Sequence, residues 1–207
     1  ANASPLKSAK QQTERHARSV SIFPLICFLN TDDCDLTTGC LGIPLRAGIH
    51  RSHLLEHICR EFLEGLALLQ LDPRRIPTVA HLNERITSRT GWRIERTAVR
   101  YTLADDWYAK FAQRVFLITD YLRTRDQMVF TPEPDMFHDI FGHLPYLTQG
   151  FYARIEDKFA PAYIKATQAE REVIKRLAWY STEFGLVMEY NRIKVFGAGI
   201  ISGRSEL

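Results

Sequence analysis

The stretch that most constrains this chain is Thr131-Pro132-Glu133-Pro134-Asp135, followed at once by Met136-Phe137-His138-Asp139-Ile140-Phe141-Gly142-His143. It is a complete helix start: a hydroxyl to cap, proline at the first helical position, and acids where the helix dipole favours negative charge. A helix beginning at Pro132 carries His138 inward, on a face whose apolar neighbours bind it to a core. His143 follows five residues later. On a regular helix two such side chains point about 140° apart. They can share a metal only through local distortion, for which Gly142 offers backbone freedom.

Helical spacing recurs along the chain. Leu54, Leu55, Ile58, Phe62, Leu63 and Leu66 form a one-sided stripe from Ser52, ended by Asp72-Pro73. A second helix is expected over Val79 to Thr87, a short strand over Gly91 to Thr97, and a helix over Trp107 to Thr124 with Phe111, Val115, Phe116, Ile118 and Leu122 inward. Ala169 to Asn191 also has helical spacing, and Ile193 to Phe196 reads as a strand before Gly197 and Gly199. The expected fold is mainly α with small β pieces, divided into a polar arm and irregular segment over 1–50 and one globular domain over 51–207.

Composition excludes several classes. With 45% hydrophobic and 25% charged residues the chain is neither fibrous nor a solvated tail. Its 27 basic against 24 acidic side chains leave a net charge of +3, too small for a nucleic-acid platform. The apolar run Ser21 to Leu29 is too short to span a bilayer, which needs about 20 residues. It follows Lys7, Lys10, Arg15 and Arg18 but lacks a small-residue cleavage site, so a buried strand or packed edge is expected rather than a signal peptide. Cys27, Cys34, Cys40 and Cys59 form no C-x-x-C pair and are expected as reduced thiols, in a cytoplasmic monomer without membrane or nucleic-acid partner.

Two constellations offer metal chemistry. His53-Leu54-Leu55-Glu56-His57 fits an H-x-x-E-H zinc-peptidase pattern, with both imidazoles on one helical face. Its leucines also belong to the buried stripe, which makes a flanking structural role the competing reading. The second is His138 and His143 with a lone acid on an apolar surface. Glu183, within Trp179-Tyr180-Ser181-Thr182-Glu183-Phe184-Gly185-Leu186-Val187, fits: an unpartnered carboxylate there would be costly to bury, and a metal would remove that cost. Two histidines and one carboxylate make the facial triad of non-haem Fe(II) oxygenases. Hydrogen-bonded core histidines remain the plain alternative.

At this point the residues carry a resemblance. Thr131 to Pro145 is similar to the iron-binding signature of the pterin-dependent aromatic amino acid hydroxylases, in its bacterial, phenylalanine 4-hydroxylase-like form. Trp179 to Leu186 resembles that family's glutamate-ligand helix, and Phe196-Gly197-Ala198-Gly199-Ile200-Ile201-Ser202 its following strand. Arg74-Arg75-Ile76-Pro77 and Gly91-Trp92-Arg93-Ile94-Glu95 also match, so the resemblance covers about Leu54 to Leu207.

The resemblance implies an aromatic amino acid hydroxylase-like catalytic domain, shortened at its C-terminus, with Fe(II) bound by His138, His143 and Glu183. It assigns Arg123 to the substrate carboxylate, Asp135 to holding that arginine, Thr131 and Pro134 to the pocket wall, and Trp179 to the substrate ring. It places Trp107, Thr102, Asp139 and Ala178 beside a tetrahydropterin, tetrahydrobiopterin or a bacterial analogue, and Ser202 behind an iron histidine. Ala178 stands where members carry a tyrosine, Leu117 where animal members carry a histidine, and Gly203 where a second serine is usual. The implied activity is ring hydroxylation of an aromatic amino acid with O2, above all L-phenylalanine to tyrosine. A phenylalanine 3-hydroxylase, a tryptophan hydroxylase, a shortened relative that binds without turnover, and a zinc hydrolase on His53, Glu56 and His57 are the alternatives.

Overall fold

A computed structural model describes residues 56–72, 76–124, 127 and 133–203. Thr131, His53, Leu54, Leu55, Arg74, Arg75, the Ser21 to Leu29 run and three of the four cysteines lie outside these residues. The domain is mainly helical with two small sheets, as expected.

The stripe from Ser52 does not continue as one helix. Ile58 bridges in parallel to Val195, and the Cys59 N–H donates to the Val195 carbonyl at 3.0 Å. That pairing holds Cys59 extended, so helix α1 begins only at Arg60 and runs Arg60–Leu69, burying Phe62, Leu66 and Leu69. Helix α2, Val79–Thr90, is capped by the Thr78 hydroxyl on the His81 N–H and stopped by Gly91 at φ 75°.

The expected helix over Trp107 to Thr124 is corrected. Helix α3 spans Ala104–Phe111, and after Arg114 at φ 56° the chain becomes strand β2, Val115–Thr119. Every β2 residue is buried, so its apolar run carries neither a period of two nor one of 3.6. It pairs in parallel with β1, Arg93–Thr97, so β1, α3 and β2 form a crossover unit.

The helix expected from Pro132 forms later. Asp135 is its true cap, its Oδ1 accepting the His138 N–H at 2.9 Å. From His138 to His143 the winding is π-helical, followed by α4, Leu144–Leu147, and α5, Gly150–Lys165. Helix α6, Gln168–Ala178, starts in a Thr167/Glu170 capping box and passes into a second π-helical turn, Trp179–Glu183.

The helix expected to reach Asn191 therefore ends at Glu183. Beyond Gly185 the chain forms an antiparallel hairpin of β3, Leu186–Glu189, and β4, Arg192–Val195, turned by Tyr190 and Asn191 at φ 48° and 64°. The resemblance's strand over Phe196 to Ser202 is also corrected: Ala198–Ser202 is a short helix, α7, entered through Gly197.

The core lies beneath the first π turn. Phe62 meets Phe141 and Tyr146 edge-on at 5.5 and 5.6 Å, and Trp92 meets Phe111 at 5.0 Å. Each buried aromatic of this kind contributes about 1.5–3 kcal/mol by area alone, and Phe62 ties α1 to both the π turn and α4.

Candidate active site

The π winding answers the question posed by the histidine spacing. Its hydrogen bonds run from i to i+5, so residues five apart stack one above the other instead of diverging. His138 and His143 bring their Nε2 atoms to 3.1 Å, with ring centroids 4.8 Å apart. The expected role of Gly142 is corrected too. A Cβ there would lie 3.0 Å from the Ala198 carbonyl oxygen and 3.1 Å from its Cβ, so glycine permits close packing of α7.

The second π turn delivers the carboxylate. Glu183 Oε1 lies 2.9 Å from His143 Nε2, and Oε2 lies 3.6 Å from His138 Nε2. Three donor atoms on one side of a divalent ion, about 2.1 Å from it and at right angles, are themselves about 3.0 Å apart. The cluster approaches that shape, with edges of 3.1, 2.9 and 3.6 Å between two imidazole nitrogens and a carboxylate, so these residues fit a facial metal site. Burial pushes His138 down to about 4, which keeps its lone pair free for a cation. Burial alone would also lower His143, but the Glu183 carboxylate beside it leaves it raised. Glu183 is held well below its ordinary value by His143 and His138 against the opposing effect of its own burial.

Behind the triad, His138 Nδ1 meets Ser202 Oγ at 2.7 Å. That contact sets Nδ1 as the donor once Nε2 faces a cation. The Ser202 carbonyl accepts from Arg123 Nη1 at 3.1 Å. Asp135, fully buried, accepts from Arg123 Nε, Nη2 and N–H at 2.9, 2.7 and 2.9 Å, as well as from His138. Three of the five guanidinium N–H groups are thus engaged, leaving one on each terminal nitrogen without a partner among the described residues. That pair of donors suits a carboxylate.

On the opposite flank Asp139, buried, accepts the Thr119 N–H on Oδ2 at 2.8 Å, and burial pushes its carboxyl up to about 7. Trp107 packs on Phe111 and Phe116 at 4.8 and 5.0 Å, and Phe116 lies 5.5 Å from the His143 ring. Trp179, 54% exposed, tilts against Phe184 at 4.7 Å. Ala178 is the last residue of α6, directly before that turn. Pro134 is exposed beside the Asp135 cap, and Thr102 is half-buried ahead of α3. Among the described residues no hydrogen bond or ion pair joins either of them to the triad. Of the zinc-peptidase pattern, Glu56 pairs with Arg192 at 3.2 Å, and His53 lies outside the described residues.

Phe116, read from the sequence only as an inward core residue, lies beside the His143 ring, and Phe184, which the sequence did not single out, lies beside Trp179. Glu156 was not singled out either, although it is an acid on the buried stripe of α5, the same signal that singled out Glu183.

The sequence profile of the biopterin-dependent aromatic amino acid hydroxylases matches residues 50–207. Among curated relatives, the phenylalanine-4-hydroxylase of Vibrio cholerae is 34% identical over 148 residues, 72% of this chain and 51% of that protein. That of Chromobacterium violaceum is 37% identical over 150 residues, 72% of this chain and 50% of its own. Similar solved structures include phenylalanine hydroxylase from Legionella pneumophila, with TM-score 0.71 and 30% identity over 75% of this chain and 61% of that one. The Chromobacterium violaceum enzyme with bound iron(III) and 7,8-dihydrobiopterin gives TM-score 0.69 and 36% identity over 73% of this chain and 55% of that one. The chain thus spans about half the length of these curated relatives. With the family's profile running through both π turns and the hairpin, this chain belongs to the biopterin-dependent aromatic amino acid hydroxylases.

Proposed function

We propose that this chain carries the catalytic core of an Fe(II)- and tetrahydropterin-dependent monooxygenase that hydroxylates the ring of an aromatic amino acid with O2, converting L-phenylalanine to tyrosine. The observation that carries the reading is the facial convergence of His138, His143 and Glu183. Iron and reduced pterin together supply the oxygen chemistry, which no side chain here could perform. The curated relatives at 34% and 37% identity bear the phenylalanine-4-hydroxylase name, which favours that substrate.

The chain's own contribution is position. The two free N–H groups of Arg123 grip the amino acid's carboxylate, while Asp135 keeps the guanidinium from swinging. Trp179 and Pro134 wall the side chain, and the flat indole ring favours an aromatic over an aliphatic substrate. Trp107 offers a stacking face for the pterin, with Asp139 as the polar group beside it and Thr102 and Ala178 at the pocket's rim. Thr131, on the substrate wall by resemblance, lies outside the described residues.

Ser202 and Asp135 each touch both the Arg123 clamp and His138. The substrate's anchor and the metal's ligand are therefore fixed relative to one another. Rates and regiochemistry fall steeply with misplacement of about 1 Å, so this shared bracing decides which ring carbon is presented. No helix among the described residues is long and apolar enough to cross a membrane, and small soluble substrates suit the cytoplasm.

The test is an assay of anaerobically Fe(II)-loaded protein given a tetrahydropterin and L-phenylalanine in air, with the tyrosine isomers separated and pterin oxidation followed. Para-tyrosine in near-equal amount to oxidised pterin is the expected result. Meta-tyrosine would replace the regiochemistry. Pterin oxidation with product only from tryptophan would replace the substrate, and bound iron without pterin oxidation would overturn the activity.

A further inference from the structure

Helix α6 has no buried side chain, although it leads into the second π turn and so carries Glu183. Its Val173 and Leu177 are 64% and 56% exposed, and Ile174 packs only partly on the core. The helices beside it differ: α5 buries Tyr152, Ala160 and Tyr163, and α3 buries Tyr108 and Phe111. A helix in a protein is held chiefly by packing of its apolar face. Without that packing, α6 needs another anchor.

One side chain supplies it. Arg171, near the start of α6, donates from Nη1 to Asp105 Oδ1 at 3.1 Å and from Nη2 to the Ile164 carbonyl at 3.2 Å. Its guanidinium carbon stands 5.1 Å from the centre of the Tyr163 ring. Asp105 is in the first turn of α3, and Tyr163 and Ile164 are in the last turn of α5. Three helices thus meet at one guanidinium. Tyr163, which is buried, closes the group: its hydroxyl donates to the same Asp105 oxygen at 2.8 Å, and its ring stacks on Tyr108 of α3 at 4.1 Å. A lone exposed ion pair contributes little. Here one partner is a buried tyrosine, and another is a carbonyl that the end of α5 leaves without a helical partner.

The tie sits at the root of the arm. From Arg171, α6 runs to Ala178 and into Trp179–Glu183, and at the arm's far end Gly197 lies against the Glu183 carbonyl. Helix α3 also carries Trp107, two residues after Asp105. The group therefore joins the helix that leads to the third candidate ligand with the helix proposed to face the pterin.

We propose that Arg171 is a positioning residue for Glu183: held by Asp105, Tyr163 and the Ile164 carbonyl, it fixes α6 against α3 and α5 and so sets where Glu183 presents its carboxylate to the metal. This rests on reading His138, His143 and Glu183 as a metal site.

The experiment uses the full chain with Co(II) as the probe, its affinity and visible absorption band measured well below every variant's denaturation midpoint. Arg171→Met keeps the apolar stem and removes the guanidinium. It is expected to weaken Co(II) binding about 3–30-fold, the range for a substitution acting on a site through a packed network, and to change the band as the carboxylate shifts. Arg171→Lys keeps the charge without the fork and recovers part of the loss. Asp105→Asn weakens binding in the same direction. Added to Arg171→Met it weakens binding no further, because the two side chains act as one unit. Ile86→Val removes one carbon from the buried face of α2 and leaves affinity and band at the parent's, which separates lost positioning from lost stability.

Should Arg171→Met fail to fold, Asp105→Asn decides the matter, since the aspartate is the more exposed end of the pair. Co(II) affinity within twofold of the parent and an unaltered band in the folded variants would overturn the proposal and leave the triad standing. A further loss in the double variant, or an equal loss in Ile86→Val, would overturn it as well. Failure of the unaltered chain to bind Co(II) would overturn the triad itself and this proposal with it.

Discussion

Two π-helical turns supply the three candidate ligands, and they are built in opposite ways. The first, His138–His143, is buried at every residue: Asp135 caps it, Thr119 holds Asp139, Ser202 backs His138, and α7 lies against Gly142. The second, Trp179–Glu183, has no fully buried residue, and Tyr180 is 74% exposed. It is fixed at its far end, where a methyl on Gly197 would fall on the Glu183 carbonyl. Both turns interrupt regular helices at the site, a recurrent use of π winding. One is a wall of the core that happens to carry two candidate ligands; the other is a surface arm that reaches inward with one side chain.

That contrast breaks most sharply in the first turn's cap. Asp135→Ala leaves Arg123 buried and unpaired and is expected to cost about 3–5 kcal/mol, read as a fall in the denaturation midpoint. An unchanged midpoint would mean the cap does not hold the wall. Metal removal comes next. At a hundred times its dissociation constant Fe(II) should stabilise the native state by about 2.7 kcal/mol, a gain that chelation abolishes. Glu183→Ala is expected to remove this metal-linked gain; if iron still raised the melting temperature of that variant, the arm would not be a ligand.

Gly142→Ala crowds α7 and should cost about 1–3 kcal/mol, since overpacking a tight contact forces both partners to shift. Thermal unfolding of that variant, set beside Tyr180→Ala, sharpens the comparison. The exposed tyrosine's removal should stay within about 0.5 kcal/mol of the parent. Equal losses in both would show the two turns to be equally embedded.

The sequence exposed the candidate ligands more readily than the geometry that joins them. Glu183 could be found because a single acid in an apolar stretch needs a partner, and the histidines because a clear helix start aims one of them inward. Their convergence could not be read from a period of 3.6, because π winding is set by what packs on the turn and not by the residues within it. Strand β2 was hidden for another reason: buried on both faces, Val115 to Thr119 shows no alternation, and only the left-handed Arg114 before it separates it from the helix. The Ala198–Ser202 helix is too short to leave a stripe. Glu156 was legible in principle, since the test that picked out Glu183 applies equally to an acid among Tyr152, Ala160 and Tyr163.

The Arg123, Asp135, Ser202 and His138 network has a thermodynamic consequence. On the proposed reading, an amino acid held by Arg123 would pull on the same two residues that touch His138, and occupancy of one site would be felt as a change in affinity at the other. Such coupling is reciprocal by necessity. Whatever factor iron changed amino acid binding by, the amino acid would change iron binding by the same factor.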